Sequence, residues 1–384
     1  MTEVVVIGAG VIGASVAWHL ATLGVRDVLV VDRGREPGGG STGRATGGFR
    51  AQHATEINVR LSLLARDKLL RFREEVGVDP GYRPCGYLWL AQSVDQLEEL
   101  RAAQAAQHSA GLREARMVGP DEIGSLNAAV SLDGIAGGAF CPTDGFLRPL
   151  EVLRGYLEAA QRLGVRVLFG GDVTQVRRGR SGRIESLEID GSQVAPGTVV
   201  NAAGAWAEAF GRLAGVEVPV TPLRRQVAVT VPCSALPEDM PMTLWTGDGF
   251  HLRVRDGRVL LLLPSPAAED PFSLEVDDGW LGQVARVAGR RIPRLAGVPL
   301  DRPRCWAGLY EMSPDRHALL GRVPGCENLV LVNGSSGHGV MHAPALGALV
   351  AELIAHGEAR SLDVRALRPS RFAEGAPISG PDLL

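Results

Sequence analysis

The chain has 384 residues, a hydrophobic fraction of 45% and a formal net charge of −3. That length allows two or more domains, and the charge gives no electrostatic reason to expect nucleic acid or an anionic membrane as a partner. No unbroken apolar run is long enough to span a bilayer, and no basic segment precedes the first apolar stretch, so we expect a cytoplasmic protein. The five cysteines are widely spaced and form no CxxC pair, so no metal site is expected.

The first stretch of the chain has the pattern of a dinucleotide-binding turn. Residues 4–7 are β-branched, which predicts a buried parallel strand, and Gly8-x-Gly10-x-x-Gly13 follows before a predicted helix. Gly8 would make the tight turn, Gly10 would let the backbone approach a pyrophosphate, and Gly13 would let the helix pack close to the sheet. The next predicted strand ends at Asp32, at the spacing that suits a ribose hydroxyl. A solvated acid at a strand end is the alternative for Asp32.

A glycine-rich loop follows at residues 33–48. It contains seven glycines, with Ser41, Thr42 and Arg44 among them. Such a loop can lay backbone N–H groups and hydroxyls along a phosphate or an aromatic ring. A flexible surface loop is the alternative, but ordered loops of this kind often contact a ligand.

The middle of the chain combines helical and extended patterns. Amphipathic periodicity predicts helices at 56–76, 94–110, 150–163 and 280–290. Apolar or alternating runs predict strands at 86–91, 137–140, 165–169, 172–176, 198–201 and 225–231. The clearest hairpin joins 249–255 to 258–263 through Asp256-Gly257.

A second glycine-rich junction lies near the end of the chain. A buried strand at 329–332 leads into Asn333-Gly334-Ser335-Ser336-Gly337-His338-Gly339, and a helix then continues to His356, where Gly357 stops it. The N-terminus of that helix would present positive potential. A flavin that accepts a hydride becomes anionic and would be stabilised there, whereas a nicotinamide has no such need. The two junctions together favour FAD over NAD.

These patterns predict an α/β (α+β) fold. A Rossmann-type FAD-binding domain would be interrupted by a substrate domain built on a mainly antiparallel sheet. We assign residues 1–80, 143–215 and 304–384 to the FAD-binding domain, and residues 81–142 and 216–303 to the substrate-binding domain.

The sequence resembles the FAD-dependent D-amino-acid-oxidase superfamily and, within it, the sarcosine oxidase branch. That branch includes sarcosine oxidase beta subunits and L-proline dehydrogenase beta subunits. The resemblance spans nearly the whole chain and is most specific at residues 40–42, 308–315 and 334–339. It implies oxidation of the C–N bond of an amino acid by hydride transfer to flavin N5, imine hydrolysis and flavin reoxidation.

The glycine patterns and the resemblance together predict the residues that contact FAD. They are Gly8, Gly10, Val11, Ile12, Gly13, Asp32, Arg33, Gly40, Ser41, Thr42, Arg44, Ala45, Gly48, Phe49, Val173, Ala203, Gly204, Trp206, Gly308, Tyr310, Gly337, His338, Gly339, Val340 and Met341.

Four residues are the predicted catalytic set: Arg50, Tyr310, His251 and Phe250. The resemblance implies that Arg50 holds the substrate carboxylate, a role that suits a guanidinium. A structural salt bridge for Arg50, simple packing for Tyr310 and an exposed strand position for His251 are the alternatives. Weaker candidates are Arg225, Arg253 and His342, and the expected pocket aromatics also include Phe49 and Trp245.

The chain departs from the resembled proteins at three positions. Gly308 stands where monomeric sarcosine oxidases attach FAD through a cysteine, so we expect non-covalent FAD. Met341 stands where a lysine often helps to hold the carboxylate. The only lysine, Lys68, lies on a predicted helix in another part of the chain, so the lysine credited with oxygen activation is absent.

Several functions remain open at this point. The first is oxidation of a small secondary amino acid such as sarcosine, with O2 as acceptor and H2O2 as product. The alternatives are an L-proline or other amino acid dehydrogenase that passes electrons to a partner or carrier, a glycine or D-amino acid oxidase, and a non-catalytic flavin-binding assembly protein. The chain could form a homo-oligomer or be one subunit of a larger dehydrogenase complex.

Overall fold

The chain is built on two large β-sheets, as seen in a computed structural model that describes residues 2–380. The strands, in chain order, are β1 (Thr2–Ile7), β2 (Val28–Asp32), β3 (Gly48–Phe49), β4 (Tyr87–Ala91), β5 (Arg116–Val118), β6 (Gly137–Cys141), β7 (Gly145–Phe146), β8 (Arg166–Phe169), β9 (Val173–Arg178), β10 (Ile184–Ile189), β11 (Ser192–Val194), β12 (Pro196–Asn201), β13 (Thr221–Val229), β14 (Met242–Trp245), β15 (His251–Arg255), β16 (Arg258–Leu262), β17 (Trp306–Met312), β18 (Leu319–Val323) and β19 (Cys326–Asn333). The helices are α1 (Val11–Thr22), α2 (Ser41–Arg44), α3 (Glu56–Leu70), α4 (Phe72–Val76), α5 (Val94–Ser109), α6 (Pro120–Leu126), α7 (Pro149–Arg162), α8 (Ala207–Leu213), α9 (Asp278–Arg291) and α10 (Gly339–His356).

The first sheet has the strand order β18-β19-β12-β1-β2-β8. All neighbours are parallel except β18, which pairs antiparallel with β19 at one edge. Helices α1, α7 and α10 cover one face, and the small β9–β11 sheet and α8 share an apolar core with the other. Burial on both faces explains why these strands are continuous runs of Val, Ile and Leu. Because β1 and β2 are parallel, their carboxyl ends lie at the same edge of the sheet, and α1 begins at that edge.

The second sheet has the strand order β17-β13-β16-β15-β14-β4-β6-β5. Its strands pair antiparallel except β14 with β4, and that parallel pair joins the two interrupting segments of the chain into one sheet. Helix α9 packs over an apolar core on one face of this sheet. The other face is turned toward the carboxyl ends of the first sheet.

The fold class predicted from the sequence is confirmed, with local corrections. The single helix predicted over 56–76 is interrupted at Arg71, so that α3 and α4 are separate helices. Strand β17 pairs with β13 along its length, from Thr221↔Met312 to Val227↔Trp306. The predicted domain boundary at 303/304 is therefore too early, because the second sheet takes its last strand from the segment assigned to the FAD-binding domain.

Helix α10 is long and apolar enough to cross a membrane if only length and composition are considered. It packs against α1 and α3, and most of its residues are buried in the core of the first sheet. The same length and composition are typical of a buried core helix, so α10 is no argument for a membrane span.

Candidate active site

A cavity of about 1010 Å³ lies between the two sheets. One end is lined by the ends of β1 and β2 and by glycine-rich loops, and the other by side chains of the second sheet. This volume is at the upper end of the range for ligand-binding pockets, which suits a large extended cofactor.

The first glycine turn is shaped by contacts that exclude side chains. Gly8 has φ +105°, and a Cβ there would lie 2.4 Å from the carbonyl oxygen of Ala202. A Cβ on Gly13 would lie 1.9 Å from the carbonyl oxygen of Gly8. Gly8 and Gly10 line the cavity, whereas Gly13 does not. Gly13 therefore acts by bringing α1 close to β1, and its predicted contact with FAD is corrected.

Polar side chains fix the walls of the nucleotide end. Asp32 accepts hydrogen bonds from the amides of Ala9 and Gly34, both at 2.7 Å, and its carboxylate lines the cavity. Thr42 Oγ1 accepts from the amide of Val11 at 3.1 Å, and Ser41 Oγ donates to the carbonyl of Leu309 at 2.8 Å. The glycine-rich loop is therefore ordered against the start of α1 and against β17.

An aromatic wall stands beside this loop. The guanidinium carbon of Arg33 lies 4.1 Å from the ring centroid of Trp206, and Trp206 stacks on Phe272 with centroids 5.8 Å apart. Arg33, Trp206 and Val173 all line the cavity. This combination of a flat apolar surface and a cation suits the base end of a dinucleotide.

The second glycine junction also lines the cavity, next to the start of α1. Gly337 has φ +93°, and a Cβ there would lie 2.5 Å from the ring of Tyr310. Residues 336–341 line the cavity where α10 begins. The positive end of α10 therefore faces the same space as the ring of Tyr310.

The residues present fit an FAD molecule. The two glycine turns leave room for close approach of a ligand to the backbone, and Asp32 offers acceptor oxygens at the nucleotide end. Glu311 Oε1 accepts from the amide of Ser335 at 3.2 Å, but its Oε2 and the hydroxyl of Ser335 are buried with no hydrogen-bond partner within residues 2–380. Burial raises the pKa of Glu311 to about 7. A polar ligand at this point would satisfy both groups.

The far end of the cavity is lined by side chains from six strands of the second sheet. Tyr310 comes from β17, Arg225 from β13 and His251 from β15. Tyr87, Met242, Leu244, Gln226 and Leu262 complete this end. The last five were not predicted, because the sequence does not reveal which strands become neighbours or which face of each strand is turned inward.

Arg50 is 5% exposed and lines this end of the cavity. Its Nη1 donates to the carbonyl of Gln52 at 2.8 Å, and its Nη2 lies 3.0 Å from His338 Nε2. Because a guanidinium can only donate, Nε2 of His338 is the acceptor. Burial lowers the pKa of Arg50. These contacts connect Arg50 directly to the loop that precedes α10.

His251 is neutral at physiological pH. Burial, with the charges of Arg50 and Arg225 acting in the same direction, lowers the pKa of His251 to about 4. Its Nδ1 lies 2.8 Å from the carbonyl oxygen of Gly249, so Nδ1 carries the proton and Nε2 is left as an acceptor.

Several predicted site residues lie outside the cavity. Phe250 is fully buried and packs against Trp245, with ring centroids 5.4 Å apart. It belongs to the core beneath α9, because successive strand residues face opposite sides and His251 takes the cavity side. Phe49 packs against Tyr82 instead. The predicted contacts of Phe250, Phe49 and Trp245 with the ligand are corrected accordingly.

Two of the weaker candidates are structural. Arg253 donates to the carbonyl of Thr46 at 2.7 Å and stacks on Phe146, so it ties the hairpin to the glycine-rich loop. His342 is hydrogen-bonded to Ser62 through Nε2 at 2.8 Å and is buried behind the cavity. Arg225, the third of these candidates, lines the cavity.

The remaining predicted FAD contacts all line the cavity. They are Gly8, Gly10, Val11, Ile12, Asp32, Arg33, Gly40, Ser41, Thr42, Arg44, Ala45, Gly48, Val173, Ala203, Gly204, Trp206, Gly308, Tyr310, Gly337, His338, Gly339, Val340 and Met341. None of the five cysteines lines it, and neither does Lys68. No cysteine is therefore placed to attach a flavin within this cavity.

The chain is similar to known proteins both in sequence and in structure. The sequence profile of one family, described as DAO, FAD dependent oxidoreductase, matches residues 3–353. FAD-dependent oxidoreductase domain-containing protein 1 of Xenopus laevis is 28% identical over 421 residues, covering 98% of this chain and 83% of that protein.

Two further similarities concern enzymes named for their substrates. Mitochondrial dimethylglycine dehydrogenase of Rattus norvegicus is 27% identical over 395 residues, which cover 97% of this chain and 45% of that protein. This chain thus spans about half the length of that relative. The crystal structure of L-proline dehydrogenase from P. horikoshii superposes with a TM-score of 0.91 and 27% identity, covering 98% of this chain and 99% of that one.

Proposed function

Because the chain belongs to the DAO family of FAD-dependent oxidoreductases, we propose that it oxidises a small N-methyl amino acid such as sarcosine. The family match confirms the predicted superfamily, the FAD cofactor and the enzyme class. The observation that carries the substrate proposal is the far end of the cavity, where a buried guanidinium, a neutral imidazole and apolar side chains face one another.

The bound FAD supplies the acceptor for the hydride that leaves the carbon next to the amine nitrogen. Arg50 binds the substrate carboxylate, since its guanidinium lines the cavity beside the second glycine junction. The unprotonated Nε2 of His251 is able to accept a hydrogen bond from the amine, which keeps the nitrogen lone pair at the reacting end. Water then hydrolyses the imine to the demethylated amino acid and an aldehyde.

The apolar lining supports this chemistry. Met242, Leu244 and Leu262 line the same end as Arg50 and give it an apolar wall. A dry site favours the neutral amine over the ammonium form, and only the neutral amine has the lone pair that drives hydride loss. The positive end of α10 lines the cavity at residues 339–341 and would stabilise negative charge on a cofactor bound there.

The similarities support a substrate with a substituted nitrogen. Dimethylglycine and L-proline, for which two similar proteins are named, are both amino acids whose nitrogen carries more than one carbon. Sarcosine shares that property, whereas glycine and D-alanine do not.

The electron acceptor has two candidates. The first is O2, with H2O2 as the product. The second, a protein partner or carrier, is favoured by one observation: no lysine lines the cavity, because the single lysine lies on α3. An ammonium beside the flavin would attract the superoxide-like charge that forms during oxygen reduction.

Anaerobic flavin reduction tests the substrate proposal. Purified holoenzyme is mixed without oxygen with sarcosine, N-methylalanine, L-proline, D-proline, glycine and D-alanine, and bleaching of the flavin is followed. We expect sarcosine to reduce the flavin faster than glycine or D-alanine. If glycine or D-alanine reduces the flavin faster than sarcosine does, the protein is a glycine or D-amino acid oxidase instead. If none of the amines bleaches the flavin, a non-catalytic flavin-binding protein is favoured.

The acceptor is tested with the same enzyme in air. Peroxide formation at the rate of substrate oxidation supports the oxidase. Slow reoxidation in air, with fast reoxidation by an artificial electron carrier, supports the dehydrogenase.

A further inference from the structure

Arg225 is a cavity-lining cation that the proposed reaction does not use. It lies on β13 opposite Gly308 of β17, and its guanidinium carbon is 5.6 Å from the ring centroid of Tyr310. No hydrogen bond from this guanidinium is formed to any group within residues 2–380. Its neighbour Arg224 differs, since it donates to the carbonyl of Glu275 at 2.9 Å.

The charges around the far end of the cavity do not balance. Arg50 and Arg225 both influence Tyr310 and His251 electrostatically, so these two side chains lie within reach of both cations. Behind Arg50 lies the buried carboxylate of Asp144, which accepts from the amide of Ala51 at 2.7 Å. Burial lowers the pKa of Arg225 and the charge of Arg316 acts in the same direction, and no carboxylate within residues 2–380 is among the groups that raise it.

The acidic side chains that line the cavity belong to its other end. They are Asp32, Glu36, Asp172 and Glu311. Asp32 is bound by the amides of the first glycine turn, and Glu311 is directed toward Ser335 and the start of α10. Within residues 2–380, the substrate end is therefore lined by two guanidiniums, and the one carboxylate near it, that of Asp144, lies outside the cavity wall.

We infer that the site takes an N-substituted amino acid with two carboxylates, one bound by Arg50 and the second by Arg225. The inference rests on the proposed amine oxidation and narrows its substrate class. A second carboxylate would supply the acceptor that Arg225 lacks, and a guanidinium binds a carboxylate through two parallel hydrogen bonds. A substrate with one carboxylate would leave this half-buried cation unpaired.

The test compares one-carboxylate and two-carboxylate amines on the holoenzyme. Sarcosine is compared with iminodiacetate, N-methyl-L-aspartate and N-methyl-L-glutamate. In these three amines the second carboxylate lies at increasing distance from the amine nitrogen. Anaerobic flavin reduction gives a dissociation constant for each amine with wild type, Arg225→Gln and Arg225→Lys. Arg255→Gln, on β15 and outside the cavity lining, is the matched control.

We expect at least one dicarboxylate to bind about 10- to 100-fold more tightly than sarcosine, in keeping with one charged hydrogen-bonded pair. Arg225→Gln should abolish this preference while changing sarcosine binding by less than about 3-fold. Arg225→Lys should retain part of the preference for the dicarboxylate. The control variant Arg255→Gln should show the same preference as wild type. FAD content and melting temperature show whether each variant is folded.

Two results would overturn the inference. One is equal binding of sarcosine and every dicarboxylate by the wild type. The other is an Arg225→Gln variant that loses sarcosine and dicarboxylates equally, because Arg225 would then share a single carboxylate with Arg50.

Thioethers separate this inference from the proposed function. Methylthioacetate and thiodiacetate replace the amine nitrogen by sulfur and carry one and two carboxylates, and their binding is followed by the change in the flavin absorption spectrum. If thiodiacetate binds more tightly than methylthioacetate and Arg225→Gln abolishes the difference, the two-carboxylate site is supported. This holds even if no amine reduces the flavin, because the absence of reduction rejects only the proposed oxidation. Equal binding of both thioethers, together with equal binding of sarcosine and all three dicarboxylate amines, rejects the two-carboxylate site, even where sarcosine is oxidised.

Discussion

The two ends of the cavity are built in different ways. At the nucleotide end the wall is mainly backbone, shaped by glycines such as Gly8, whose position excludes a Cβ. At the substrate end the wall is made of side chains, including Arg50, Arg225 and His251. Changes at the first end should therefore release FAD, whereas changes at the second should leave FAD bound and alter the reaction. Variants at the two ends distinguish these roles.

Gly8→Ala should have the largest effect. The new Cβ would lie 2.4 Å from the Ala202 carbonyl oxygen at a residue with φ +105°, so steric overlap and backbone strain combine. We expect a loss of FAD and a decrease of about 2–6 kcal/mol in the free energy of unfolding. Flavin absorbance after gel filtration and chemical denaturation measure the two effects.

Gly24→Ala is the control for Gly8→Ala. Gly24 has φ +90° but no atom within 4 Å of a Cβ, so only the strain remains. This variant should lose about 1 kcal/mol and keep its FAD. Retention of FAD by Gly8→Ala would break the proposed contrast between the two ends.

Asp315→Asn should destabilise the fold next to the second glycine junction. Asp315 and Arg371 form a buried pair through two 2.8 Å hydrogen bonds, and Arg371 also donates to the carbonyl of His317. The variant leaves a buried guanidinium without its counter-charge. We expect a loss of about 3–4 kcal/mol in the free energy of unfolding at pH 7.

The pH dependence of stability gives an independent check on this pair. Burial alone would raise the pKa of Asp315, but the hydrogen bonds from Arg371 lower it to about 2. Because the folded pKa lies below the ordinary aspartate value, the stabilisation is present above about pH 4 and is lost as the pH falls toward 2. Asp315→Asn should remove this part of the acid transition. An unchanged acid transition in the variant would assign the stability to other groups.

Arg50→Lys should impair the reaction while FAD stays bound. Lysine keeps the positive charge but cannot form two parallel hydrogen bonds with a carboxylate. We expect the second-order rate constant for flavin reduction by sarcosine to fall about 100-fold, as measured by anaerobic stopped-flow absorbance. Arg255→Lys, outside the cavity lining, should change it by less than about 2-fold. Full activity of Arg50→Lys would mean that another group binds the carboxylate.

His251→Asn should have the smallest effect. The pKa of His251 is lowered to about 4, so the imidazole is neutral and does not titrate between pH 5 and 9. The variant should slow flavin reduction by less than about 10-fold, since a hydrogen bond and not a charge is lost. The pH profile of reduction should follow the amine of the substrate in both proteins. A shift of that profile in the variant would show that His251 gains and loses a proton in this range.

Sequence patterns predict the nucleotide end far better than the substrate end. Gly8, Gly10 and Asp32 follow one another within a short segment, so their spacing alone indicates how they are arranged. The residues of the substrate end come from strands that are distant in the sequence. Tyr87 lines it only because β4 pairs with β14, and Phe250 faces the core because its neighbour His251 faces the cavity.

The place of β17 illustrates the same limit. The sequence locates the specific 308–315 segment correctly but not its partner strand. Pairing with β13 puts Gly308 beside Arg225 and brings the ring of Tyr310 to 5.6 Å from the guanidinium carbon of Arg225. Such a register depends on tertiary packing, and no local pattern reports it.

The proposed reaction is oxidation of an N-methyl amino acid bound at the arginine-lined end of the FAD cavity. A single anaerobic turnover tests it: holoenzyme is mixed with excess sarcosine, and reduced flavin and released formaldehyde are both measured. We expect complete flavin bleaching with one formaldehyde released for each flavin reduced. A flavin that dithionite bleaches but that sarcosine, dimethylglycine and iminodiacetate all leave oxidised would contradict it.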